Sequence, residues 1–304
     1  KPVPIKVSNL NPYSIDAPNV LLHNINNTIN AKNPMWFGNM PLDGGFLLLS
    51  PDNRDALIAS YPQIKKWIKP LLGAREFLNG ERRYCLWLKD ASVKERRDLM
   101  LIPEIKTRID GVREMRLASI AASTQSHAET AWQFRDTRCP ETYILVPSTS
   151  SERRSYVPMG FFDSNTISTN LVLMIPNADL YEFGLLTSQM HMDWMRTVAG
   201  RLKSDYRYSA KLVYNNFIWP DDTNADQRKK IENLAQQVLD ARQAEVDMEP
   251  TTTLADLYDP DLMPPALRKA HKALDKAVDA LYQEKPFKTP LERVKHLFEL
   301  YEKK

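Results

Sequence analysis

One stretch, HMDWMRTVAGRLKSDYRYSAKLVYNNFIWP at residues 191–220, changes its hydrophobic period midway, and this restricts the fold more than any other feature. Over residues 185–202, Met195, Val198, Ala199 and Leu202 recur at the spacing of one helix face, leaving Arg196 and Lys203 toward the opposite side. Over residues 206–214 the period becomes two. Tyr206, Tyr208, Ala210, Leu212 and Tyr214 then share one face, and Arg207, Ser209, Lys211 and Val213 the other. The pattern predicts an amphipathic helix running into a strand with one cationic, hydroxyl-bearing face. Arg201, Lys203 and Arg207 bracket a turn whose only acid is Asp205, so several cations should meet in a small area. A polyanion suits such a surface, because Arg offers a bidentate fork to phosphate or guanine and Tyr donates to phosphate oxygen. A merely solvated basic face is the competing reading.

Charge is unevenly spread along the chain. The net charge is only +3, but residues 1–220 hold 27 Lys and Arg against 21 Asp and Glu, while residues 221–304 hold 14 against 17. Any polyanion site therefore belongs to the first part. At 304 residues the chain can bury a full core as one large or two smaller domains. No apolar run approaches the roughly 18 residues of a membrane span, and no signal-peptide pattern opens the sequence, so a cytoplasmic protein is expected. The chain begins at Lys1, not Met, and reads as a piece of a longer protein. Cys85 and Cys139 are far apart and not ligand-spaced; both are expected to be buried thiols.

In chain order, residues 1–36 are rich in Asn and Pro with little periodicity, an irregular lead-in. Strands are expected at residues 46–49, 84–88, 143–147, 156–162 and 171–176. Helical pieces are expected at 53–60, 61–72 with an end at Gly73, 92–101 and 104–120. The last of these carries Arg108, Arg113 and Arg116 beside its apolar face, a second candidate for phosphate contact or a solvated face. In SSERRSYVP, Arg153 and Arg154 sit in a Ser-rich loop beside Glu152, where side chains can enter a groove. Past Pro220 three amphipathic helices follow: residues 227–244, 264–282, and one starting at Thr289-Pro290 with a capping-box spacing. His271 falls on an apolar face and reads as a core histidine. The fold class is thus α+β: a mixed α/β domain followed by an all-α C-terminal segment.

Four blocks in order, FGNMPLDGGFLLLS at residues 37–50, GERRYCLWLKDAS at 80–92, SSERRSYVPMGFF at 150–162 and the stretch at 191–220, resemble the MmeI-like DNA adenine methyltransferases. The family includes single-chain restriction and modification enzymes. The resemblance implies a lead-in from a catalytic domain outside the chain over residues 1–36, a DNA target-recognition domain over 37–220 and a C-terminal helical domain over 221–304. It implies double-stranded DNA and the parent's own methyltransferase domain as partners, and S-adenosylmethionine as methyl donor in that other domain.

The chain's own residues lack that chemistry. None of its nine glycines makes a Gly-x-Gly turn for the cofactor. Asn33-Pro34-Met35-Trp36 departs from the Asn-Pro-Pro-aromatic base-holding motif at its third residue and reads as turn chemistry. Asp52 with Glu104 and Lys106 is too widely spaced for a metal-dependent nuclease. No catalytic, cofactor or metal residue is assigned. The expected function is duplex recognition: Arg153, Arg154, Arg201, Lys203 and Arg207 on phosphates, and Ser209, Lys211 and Glu152 on base edges. A helical protein-interaction scaffold with a solvated basic surface is the alternative.

Overall fold

A computed structural model describes Val7 and residues 9–304. The irregular lead-in is found over residues 9–35, which hold no helix or strand; its residues 1–6 and 8 lie outside the described residues. Side-chain amides tie it down. Asn30 donates to the Trp219 carbonyl and accepts from the Trp219 N–H, Asn215 donates to the Ile25 carbonyl and Asn216 to that of His23. Asn33 donates to both carboxylate oxygens of Glu182, at 3.0 and 2.8 Å, while its carbonyl accepts from the Tyr214 hydroxyl. The Asn-Pro-Met-Trp segment, expected as a turn, bends at Asn33 and enters a strand at Trp36, with the Asn33 side chain engaged by Glu182.

The chain forms two compact units. One comprises Phe37–Thr142 and Phe162–Met174. Its sheet has the order Leu48–Leu49, Tyr84–Leu86, Ile68–Leu72, Ile167–Ser168; the last pair is parallel and the others antiparallel. Leu47, Leu49, Ile64, Leu71, Leu86 and Ile105 are among its fully buried side chains. The helix Pro51–Ser60 starts as its sequence dictates, with the Ser50 hydroxyl accepting the Asn53 N–H and Pro51 in the first turn.

The helix expected over residues 61–72 is absent. Pro62–Trp67 is a 3-10 turn and Ile68–Leu72 a strand, with Ile68, Lys69 and Pro70 opposite Leu86, Cys85 and Tyr84. Pro70 has no N–H for a helix interior, and a distant strand supplies the pairing. Gly73 does not end a helix but begins one, Ala74–Asn79, where Glu76 accepts the Gly73 N–H; Gly80 at φ 67° ends it.

Arg116, on the helix Pro103–Leu117, is fully buried and donates to the carbonyls of Pro41, Leu42, His127, Thr130 and Gln133. It is neither a phosphate contact nor a solvated cation. Arg108 pairs with Glu104 and Arg113 with Asp110. Cys85 is buried, its thiol pushed up by desolvation; Cys139, expected buried, is half-exposed, with Sγ 3.5 Å from the Ser164 carbonyl.

The other unit comprises the segment ending at Trp36 together with Tyr143–Phe161 and Ile175–Lys304. Its helices are Leu180–Leu186, Gln189–Val198, Ala225–Met248, Leu254–Leu257, Pro265–Tyr282 and Pro290–Glu302. Ala225–Met248 packs on Leu180–Leu186 and on Pro265–Tyr282. The first approach is close: a Cβ on Gly184 would sit 2.6 Å from Ile231 Cγ2. The three long C-terminal helices match the sequence pattern, with Asn224 and Gln227 making a reciprocal cap and Thr289 capping the last. His271 is fully buried, its Nε2 2.8 Å from the Tyr258 hydroxyl, and burial pulls its pKa down to about 3.

A further sheet has the order Trp36–Phe37, Val172–Pro176, Thr142–Pro147, Gly160–Asp163. The strand expected from residue 156 begins only at Gly160, because the preceding residues are held by side chains: Tyr156 by Asp275, the Val157 N–H by Met192 Sδ and the Met159 carbonyl by Arg242. Among the described residues no helix is long and apolar enough to cross a membrane.

Candidate nucleic-acid interface

The helix expected over residues 185–202 is two helices and a strand. Leu180–Leu186 is capped by Asp179, whose carboxylate accepts the Tyr181 and Glu182 N–H groups. Gln189–Val198 follows with Met190, His191, Met192, Asp193, Trp194, Met195 and Val198 all buried, so the core takes most of this helix and not one stripe. The chain leaves it at Ala199, and Gly200–Leu202 extends as a strand. Leu202 is consequently 55% exposed, not on a buried face.

Gly200–Leu202 and Asp205–Arg207 form an antiparallel hairpin, joined by Lys203 and Ser204. Lys203 sits in the left-handed region at φ 57°, the conformation a two-residue hairpin turn needs and one usually left to Gly or Asn. Thr149–Ser150 adds a third strand, pairing Tyr206 with Ser150 and Arg207 with Thr149. Directly paired residues share a face. Arg201, Tyr206 and Ser150 therefore lie on one side of this small sheet, and Gly200, Arg207 and Thr149 on the other. The three cations do meet on one hairpin, but on opposite faces with Lys203 at the tip.

The cation Arg201 is half-exposed, 3.8 Å above the Tyr206 ring, and donates to the Ser204 carbonyl at 2.7 Å and to Glu152 at 3.4 Å. The third strand leads straight into the loop of Glu152, Arg153 and Arg154, so sheet pairing brings the two sequence-distant candidate segments together. Arg153 is exposed and pairs with an exposed Asp261 at 2.6 Å. Such a pair contributes little to stability, and a phosphate can replace the carboxylate. Arg154 is half-buried. Its Nε lacks a partner among the described residues, and desolvation lowers its pKa against the opposing pull of Asp205 and Asp259.

The strand expected to continue to residue 214 stops at Arg207. Ala210–Tyr214 is a π-helical turn, capped by the Ser209 hydroxyl through the Leu212 N–H. Ser209 and Lys211 thus leave the face of Arg207; Lys211 stays exposed, while Ser209 serves the backbone. Long-range bonds override the alternation. Tyr208 bonds His191 Nε2 at 2.7 Å, Trp194 donates to the Val213 carbonyl, and the lead-in covers the turn through Ile25 N–H to the Lys211 carbonyl.

A family model for the MmeI target recognition domain matches residues 16–221, and one for the MmeI C-terminal domain matches residues 223–304. The chain belongs to the MmeI family. That is the family the four sequence blocks resembled. DNA methyltransferase A of Bacillus subtilis (strain 168) is 41% identical over 297 residues, which is 97% of this chain and 33% of the relative. A solved structure described as the Type IIL restriction-modification enzyme MmeI in complex with DNA aligns over 100% of this chain and 40% of its own, with TM-score 0.91 and 42% identity. The chain thus spans about a third of its curated relative and two fifths of the solved one.

Within this MmeI-type domain, the loop beside the hairpin is held by Arg196, placed by periodicity only on a polar helix face, and by Tyr156, expected in a strand. Arg196, on the last helical turn before the hairpin, donates to the carbonyls of Arg154 and Ser155 and to Asp193 at 3.1 Å. Tyr156 donates to Asp275 at 2.6 Å. Only the i, i+3 spacing of Asp193 and Arg196 could have signalled the first, and nothing local signalled the second.

Proposed function

We propose that this chain is the sequence-reading part of a DNA adenine-N6 methyltransferase, and that it binds duplex DNA. The observation that carries the reading is the hairpin at residues 200–207 with the adjoining loop at 151–154: Arg201, Lys203, Arg207 and Arg153 are displayed on one three-stranded support, with Glu152 among them. Cations of this kind set register on phosphates, while the hairpin tip and loop offer donors and acceptors to base edges in the major groove, which admits a two-stranded ribbon. Phosphate contact falls to Arg153, Arg154, Arg201, Lys203 and Arg207. Base reading falls to Glu152 and Lys211. Ser209, already engaged as a cap, is the weakest of the base readers first assigned.

Similarity over nearly the whole chain to a DNA methyltransferase and to a DNA-bound restriction-modification enzyme supports this reading. In the whole protein, a further domain would extrude the target adenine and methylate N6 with S-adenosylmethionine. Residues 1–36 would lead from that domain, residues 37–220 would read DNA, and residues 221–304 would form the helical segment. A cytoplasmic location fits this role.

The test is selection from random duplex DNA at two salt concentrations with the full-length protein that carries this chain. Enrichment of a short motif, with affinity falling linearly in log salt, is expected. Retention of no duplex DNA at either salt concentration would favour the interaction scaffold instead.

A further inference from the structure

Resting on the reading above, we propose that Arg196 and Tyr156 are positioning residues for DNA recognition: they clamp the backbone behind Glu152 and Arg153 and so aim those side chains. The loop makes little structure of its own. Its local bonds are the Arg154 N–H to the Ser151 carbonyl, at 3.2 Å, and the Arg153 N–H to the Ser151 hydroxyl, at 3.3 Å. Its shape is imposed from the buried side. The Arg196 guanidinium donates to two successive loop carbonyls, those of Arg154 and Ser155, while its other nitrogen is held by Asp193.

Asp193 is itself nearly inaccessible and further fixed by Gln189 at 2.6 Å and Arg293 at 3.2 Å, so the fork has one allowed direction. One residue on, the Tyr156 ring stacks on His271 at 4.0 Å and its hydroxyl reaches Asp275. The other Asp275 oxygen accepts the Gln189 N–H at 2.7 Å, at the start of the helix that carries Arg196. The C-terminal helix Pro265–Tyr282 therefore holds both the loop and the helix behind it.

A buried ionic cluster is a poor way to gain stability, since apolar residues of equal volume usually serve as well. A guanidinium with Nη1 on a buried carboxylate and Nη2 on two carbonyls does something apolar residues cannot. It sets the direction of the two side chains that precede them, and readout of base edges depends on such direction.

The experiment compares motif selection and thermal melting for wild type, Arg196→Met, Arg196→Lys, Tyr156→Phe and Arg116→Leu in the full-length protein. Arg116 is fully buried and bonds neither the loop nor Asp193, and serves as the control for mere loss of stability. Arg196→Met is expected to relax preference at one or two motif positions by about tenfold, with the salt dependence unchanged. Arg196→Lys leaves a single nitrogen where Asp193 and the two carbonyls are served by two, so it should keep the Asp193 pair and recover melting without recovering preference. Tyr156→Phe should relax the same positions by less, and Arg116→Leu should lower melting with the motif intact. An unchanged motif in both Arg196 variants overturns the proposal, as does a motif that fades in Arg116→Leu in step with melting. A wild-type protein that selects no motif refutes the DNA-reading function itself, which distinguishes the two failures.

Discussion

The guanidinium of Arg201 lies 3.8 Å above the ring of Tyr206, its direct partner across the hairpin. The stack holds a long, entropically costly side chain in place beside Glu152. Arg201→Ala should weaken binding to all duplex sequences alike and reduce the slope of log affinity against log salt by about one. Tyr206→Leu, which keeps apolar bulk without the ring face, should act in the same direction by less. Salt titration of both variants checks this, and a change confined to one motif position would contradict it.

At the hairpin tip, Lys203 occupies a left-handed backbone conformation at φ 57°. A non-glycine residue there costs on the order of 1 kcal/mol, which Lys203→Gly should return as stability. The same change removes a cation from the tip. Higher denaturation midpoint with weaker DNA binding is the expected pair of results, and weaker binding with no gain in stability would argue against strain at this site.

Arg116 supports five carbonyls from full burial. Arg116→Leu leaves those acceptors without donors in a site closed to water, at a cost of about 3 kcal/mol or more. Denaturant unfolding should show the loss. A loss within 0.5 kcal/mol would mean that the loops carrying the carbonyls rearrange freely.

Burial raises the Asp275 carboxyl to about 6 from its ordinary 3.8, against hydrogen bonds from Tyr156 and the Gln189 N–H that favour the charged form. A carboxyl raised on folding contributes stability that is complete below about 3.8 and lost as pH rises through about 6. Buried His271, lowered to about 3, has the opposite sign and loses stability as pH falls from 6.5. Asp275→Asn removes only the first contribution. Between pH 6 and 4 its stability should therefore drop relative to wild type by roughly 1.4 kcal/mol per pH unit. Parallel pH profiles would falsify the assignment.

Much of the fold was legible because helix propensity, caps and apolar spacing are local. Asn224 and Thr289 cap the helices that follow them, the three long C-terminal helices keep their apolar faces, and the lead-in's asparagines and prolines over residues 9–35 form no element. The failures share one cause, which is pairing with residues distant in sequence. Residues 68–72 are a strand because Tyr84–Leu86 and Ile167–Ser168 flank them. Residues 208–214 leave the alternating pattern because His191 captures the Tyr208 side chain, and Trp194 and the lead-in capture the Val213 and Lys211 carbonyls.

For the candidate site, the sequence by itself determined that cations and aromatics alternate around residues 201–207 and that a second pair, Arg153 and Arg154, sits in a loop some fifty residues earlier. Only the tertiary structure decided that these segments adjoin, through pairing of Tyr206 with Ser150, that Arg201 and Arg207 face opposite ways, and that Arg116 belongs to the core. A period of two states which side chains share a face. It does not state which strand lies alongside, and that choice rests on hydrogen bonds and burial summed over the whole folded unit.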